Sequence, residues 1–196
     1  MTDRRSLLLV AGTAPALFAA RSAVAQASLR PDPTPRLPPQ PGQGLPAEDV
    51  RFLRRAARLS EAQQEAGRLA AAAAATPEIR QLAEAVAGEH ATLLRELIAY
   101  AAKHGVDLQA SEDTSLAGLR TARGEEMDRR FLARQLGLYA PLAEMYQAEA
   151  SNTPDKELGR LAIAALAALR MRFETARQLG TGYGLSVETV EAPPQY

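Results

Sequence analysis

Apolar residues recur at intervals of three and four along four stretches of this chain, the spacing that lines one face of an α-helix. The first stretch runs from Ala47 to Ala75, with Phe52, Leu53, Ala56, Leu59, Ala66, Leu69 and Ala73 on its apolar side. The second opens on Thr76-Pro77-Glu78: a capping hydroxyl, a proline at the first helical position, and an acid at the positive end of the dipole. Its stripe is Ile79, Ala83, Val86, His90, Leu93, Leu97, Tyr100, and Gly105 is the natural stop. The third runs from Glu125 to Ala150, with Leu132, Leu136, Tyr139, Ala143 and Tyr146 inward. Pro141 lies inside it and clashes with the carbonyl of Gly137, so a kink is expected there. The fourth repeats the opening signal as Thr153-Pro154-Asp155, and its stripe is Leu158, Ala162, Ala165, Leu169, Arg172, Ala176, Leu179.

Four amphipathic helices of roughly 25 residues with short junctions predict an all-α fold, an antiparallel four-helix bundle. The like Thr-Pro junctions suggest two related hairpins. A helical turn is expected around Leu116 and Leu119, and residues 181–196 read as a flexible tail after the glycine-rich stop at Gly180, Gly182 and Gly184. Residues 26–46 hold seven prolines and read as an extended linker; a semi-rigid spacer is favoured over a recognition motif.

The N-terminal segment has its own pattern. Arg4 and Arg5 precede an apolar run from Leu7 to Ala20, and Ala23 and Ala25 place small residues where a signal peptidase reads. Residues 1–25 are therefore expected to be a signal peptide cleaved after Ala25, and Arg4-Arg5-Ser6 before leucines resembles a twin-arginine signal. The remaining chain would carry 20 basic and 22 acidic residues and is expected in the periplasm or secreted. No apolar run is long enough to span a bilayer.

Charge narrows the partners further. With 23 basic and 23 acidic residues there is no basic excess of the kind nucleic-acid binders carry, so no nucleic-acid partner is expected. Arg51, Arg54, Arg55 and Arg58 share a face of the first helix. That face reads as solvated, with weak contact to an envelope or membrane surface as the alternative. The chain has no cysteine, which excludes disulfides, thiolate catalysis and zinc–thiolate sites. No serine sits in a nucleophile elbow and no phosphate loop is present, so a non-enzymatic role is expected. Helical di-metal carboxylate sites need Glu-x-x-His pairs, yet Ala87 and Ala101 stand three before the two histidines, His90 and His104. His104, at the end of its helix, suits the negative end of the dipole and a surface role.

The phrases "FLRRAARLSEAQQEAGRLA", "TPEIRQLAEAVAGEHATLLRELIAYAAKHGV", "MDRRFLARQLGLYAPLAEMYQAEA" and "TPDKELGRLAIAALAALRMRFETARQL" resemble, in order and spacing, the family of domain of unknown function 4142. The resemblance covers residues 47–180. It implies an exported bacterial protein with a ferritin-like helical fold, often labelled a predicted outer membrane protein. It also implies inward polar groups on all four helices: Gln63 with Glu65 nearby on the first, Glu89-His90 on the second, Leu138-Tyr139 on the third, and Arg172 on the fourth. Glu65, Glu89 and His90 are then the candidate metal ligands, and Gln63, His90, Tyr139 and Arg172 the inward polar layer. An always-charged arginine repels a cation, so a structural layer without cofactor is expected, and a bound metal ion with a redox or storage role is the alternative. Arg172 is expected to pair inside with Glu89 or Glu65, or else to snorkel from the stripe's edge.

Overall fold

Each amphipathic stretch is a helix in the computed structural model, which describes residues 44–108 and 114–188. These are α1 (Ala47–Ala73), α2 (Pro77–Lys103), a short α3 (Ala117–Thr121), α4 (Gly124–Asn152) and α5 (Lys156–Thr181). One 3₁₀ turn, Thr114–Leu116, leads into α3, where the sequence placed a helical turn. The described residues all lie in one compact unit, Pro33–Tyr196, and the fold class is all-α as expected. The expected signal peptide and most of the proline-rich linker lie outside the described residues.

The start signals differ in outcome. Thr76 caps α2 as expected, its hydroxyl accepting from the Ile79 N–H at 3.4 Å. Thr153 does not cap α5. That helix begins two residues later than the Thr-Pro signal suggests, with Asp155 accepting from the N–H groups of Glu157 and Leu158 at 2.8 and 3.0 Å. The Thr153 hydroxyl instead donates to Asp49 Oδ2 at 3.0 Å. A buried carboxylate needs such donors more than the helix needs a second cap. α4 runs without interruption through Pro141.

α1 packs mainly against α2 and α4 against α5, and the two pairs join through α2 with α5 and α1 with α4. The neighbours within each pair are antiparallel: Leu53 near the start of α1 shares a core with Leu97 near the end of α2, and Leu136 of α4 touches Gly180 at the end of α5. Close approach of α1 and α2 requires Gly67, where a Cβ would lie 2.6 Å from the Ala83 carbonyl oxygen.

Two buried aspartates tie the pairs together reciprocally. Asp128, near the start of α4, accepts from the Ala75 N–H in the α1–α2 junction at 3.0 Å and from the Tyr183 hydroxyl at 2.7 Å. Asp49, near the start of α1, accepts from Thr153 in the α4–α5 junction. Both stand at the head of the same phrase, Asp-x-Arg-Phe-Leu-x-Arg, at Asp49–Arg55 and Asp128–Arg134. Ordered structure also extends beyond residue 180, where the tail was expected to begin: Arg129 donates to the Tyr183 carbonyl at 2.9 Å, and Tyr183 and Leu185 pack against the core.

The core divides into two apolar clusters. One holds Ala66, Ile79, Val86, Phe131, Leu132 and Ala176; the other holds Phe52, Leu59, Leu97, Leu142, Tyr146 and Leu166. The boundary crosses α1 at Gln63, α2 at Glu89-His90 and α5 at Arg172, and on α4 it falls just past Gln135, between Leu136 and Leu138.

Candidate functional site

Along α2 no residue between Val86 and Leu97 is fully buried, and along α5 none between Leu166 and Ala176. The two helices face each other there across a cavity of about 390 Å³. The α5 side is low because it is alanine: Ala164, Ala165 and Ala168 leave space that longer side chains would fill. Val86, Leu93 and Leu169 complete the apolar wall, and Glu89, His90, Glu96, Gln135, Tyr146 and Arg172 bring the polar groups.

Beside the cavity runs a directed chain of hydrogen bonds. Arg134 Nε donates to Gln63 Oε1 at 3.1 Å, and Gln63 Nε2 donates to Gln135 Oε1 at 3.2 Å. Guanidinium has only donors, so it fixes the orientation of the first amide, and the first fixes the second. Gln135 is left with its Nε2 donor buried and without a partner among the described residues. Two more buried polar atoms on the cavity are in the same condition, His90 Nδ1 and the Tyr146 hydroxyl. Ser60 lies close to Tyr146, yet neither hydroxyl has a partner of hydrogen-bond geometry among the described residues.

Arg172 and Glu89 stand at the edge. Arg172 Nε donates to Glu89 Oε1 at 2.8 Å, and its Nη2 donates to the same oxygen. Each side chain is 30% exposed, between the two sites foreseen for Arg172. The contact raises the arginine's pKa, chiefly through the hydrogen bond to Glu89. Because water screens the pair, Arg172→Ala should cost about 1 kcal/mol, not the several expected of a sealed ion pair. Denaturant titration at low and high salt measures this, and a loss of 3 kcal/mol or more would mean the pair is effectively dry.

His90 is governed by burial, which lowers its pKa from 6.5 to about 4. In the unfolded chain the ring titrates near its ordinary value. Between those two values the unfolded state therefore binds more protons, and stability falls as pH drops through the window. The loss is at most about 3 kcal/mol. The charged groups sharing the cavity are Glu89, Glu96 and Arg172, and they stay in place when His90 is replaced. His90→Leu should accordingly lose less stability than the natural chain between pH 7 and 4.5, by about 2 kcal/mol. Equal losses in the two proteins would show that the ring is solvated.

The other residues singled out in the sequence sit apart. Tyr139 stacks on Phe173 with ring centroids 3.8 Å apart, and Gln135 stands where Tyr139 was expected in the polar layer. Glu65 faces Arg120 at 3.6 Å on the surface. His104 lies against Tyr100, its ring centroid 4.4 Å away. Of the four arginines on that face of α1, Arg51, Arg54 and Arg58 are exposed, and Arg54 donates to the Asp107 carbonyl at 3.2 Å. Arg134 and Gln135 were missed because the inward stripe was drawn through Leu136, Tyr139 and Ala143. Leu132, Leu136 and Tyr146 are buried as that stripe requires, but Tyr139 and Ala143 are only half-buried, and Gln135, Leu138 and Leu142 fill the inner positions beside them.

Of the candidate metal ligands, Glu65 and Glu89 are each engaged by an arginine. Among the described residues no three His, Cys, Asp or Glu side chains converge. Glu65 is turned to Arg120, the Glu89 carboxylate holds a guanidinium, and the Gln63 amide is used on both sides. Among the described residues no helix is long and apolar enough to cross a membrane.

By fold this is an all-α protein with a polar layer and a cavity between its helix pairs. The chain belongs to the family described as a domain of unknown function, DUF4142, whose model matches residues 34–179. Comparison with curated proteins and with solved structures gave no match.

Proposed function

We propose that this is an exported, non-enzymatic protein of the bacterial cell envelope, a ferritin-like four-helix bundle acting through binding or structure. The observation that carries the non-metal part is the Arg172 guanidinium on the Glu89 carboxylate, a fixed positive charge on the best candidate ligand. Export is supported by Arg4-Arg5, the apolar run from Leu7 and the small residues Ala23 and Ala25. The periplasm is the compartment this reading favours.

Elemental analysis of protein purified from its native compartment tests the first part, with no stoichiometric metal expected. Iron, manganese or zinc at one or more per chain would instead favour a metal-binding, redox or storage protein. N-terminal sequencing of exported material tests the second and should begin at Gln26. Exported protein that retains Met1 would contradict it. Export that survives Arg4→Lys with Arg5→Lys would assign the general secretory route.

A further inference from the structure

We propose that the cavity between α2, α4 and α5 is a binding site for a neutral amphiphile, a short apolar body ending in a carbonyl or hydroxyl oxygen. The inference deepens the binding reading above and names its ligand class.

The volume of about 390 Å³ lies within the range of small-molecule sites. The walls are of two kinds. Val86, Leu93, Ala164, Ala165, Ala168 and Leu169 offer apolar surface. Gln135 Nε2, His90 Nδ1 and the Tyr146 hydroxyl are buried polar atoms of the same cavity, unpartnered among the described residues. Leaving such atoms unpaired is costly, so a ligand that pairs them recovers binding energy an alkane cannot.

The head group follows from the hydrogen-bond chain. Arg134 can only donate, so the sequence Arg134, Gln63, Gln135 ends in an N–H directed outward from the chain. The partner of that N–H must be an acceptor, which excludes an ammonium head. An anionic head fares no better. Arg172 is already neutralised by Glu89, and Glu96 adds a further negative charge to the lining. Among the described residues the lining offers no cation beyond Arg172, and burying a carboxylate there is strongly unfavourable. A neutral oxygen remains, accepting from Gln135, with the Tyr146 hydroxyl as its second partner.

The test uses the full chain with 2-nonanone as probe, and nonane and nonanoate as controls. Melting temperature and the side-chain amide resonances of Gln135 are followed together. The ketone should raise the melting temperature saturably, shift the Gln135 resonances, and bind at least tenfold tighter than nonane, while nonanoate does not bind. Tyr146→Phe, which keeps the ring against Phe52, should weaken the ketone severalfold. Ala168→Leu should abolish binding by filling the cavity. Equal affinity for ketone and alkane, tighter binding of nonanoate, or no saturable binding at all would each overturn the proposal. So would unchanged binding to a folded Ala168→Leu variant. If that variant fails to fold, the Gln135 resonances and Tyr146→Phe decide alone. Neither measurement depends on export or metal content, so this inference and the reading it rests on can fail separately.

Discussion

Gly67→Leu is expected to cost the domain more than ~3 kcal/mol, beyond the usual range for overpacking a core. The obstacle is main chain and one Cβ, atoms with no rotamer to change. A Cβ at position 67 would stand 2.6 Å from the Ala83 carbonyl oxygen, 2.8 Å from the Ala87 nitrogen and 2.9 Å from the Ala87 Cβ. None of these can rotate aside, so α1 and α2 must separate along their most extensive contact. Gly67→Ala should also destabilise, although alanine favours helix by about 1 kcal/mol over glycine. Gly88 provides the control, for it lies within α2 with nothing inside 4 Å of the added Cβ. There Gly88→Ala should stabilise by about 0.5–1 kcal/mol. Urea denaturation of the two alanine variants reads the difference, and equal signs would refute the close approach of α1 to α2.

Phe131→Ala is expected to lose about 3–5 kcal/mol, a large part of the stability of an ordinary domain. The ring is fully buried and sits in the cluster with Met127, Leu132 and Leu116, where α3 closes over α4. Truncation leaves a void that these neighbours can fill only by moving backbone. Ile163→Ala, at a position 58% exposed, should change stability by less than about 0.5 kcal/mol. A Phe131→Ala loss below 2 kcal/mol would mean the cluster collapses around the gap.

Periodicity alone located the helices, because burying one face of a helix demands apolar residues at three- and four-residue spacing whatever the partner. Phe52, Leu53, Leu97 and Leu158 are buried as that spacing requires. The capping hydroxyl of Thr76 was readable for the same local reason. The repeated Asp-x-Arg-Phe-Leu-x-Arg phrase was equally present in the sequence, but what its aspartates do was not. Their partners, Ala75, Tyr183 and Thr153, are distant in the chain, and only packing the pairs together brings them within hydrogen-bond reach.

The cavity was decided by tertiary structure in the same way. His90 and Arg172 could be placed on apolar stripes from spacing, since a polar residue in such a stripe is visible locally. Which residue would meet them from α4 could not. Gln135 and Tyr139 lie on adjacent ridges of one helix, and choosing between them requires the rotation of α4 about its axis. That rotation is set by contacts with three other elements, α1, α3 and α5. Nor could the sequence say that Ala164, Ala165 and Ala168 would face a gap, because alanine serves equally for close helix contact and for an open wall. Composition and spacing settled where the helices run and which apolar residues are buried on most of them. The distance between α2 and α5 settled what their facing sides enclose, since that distance comes from the summed packing of both apolar clusters.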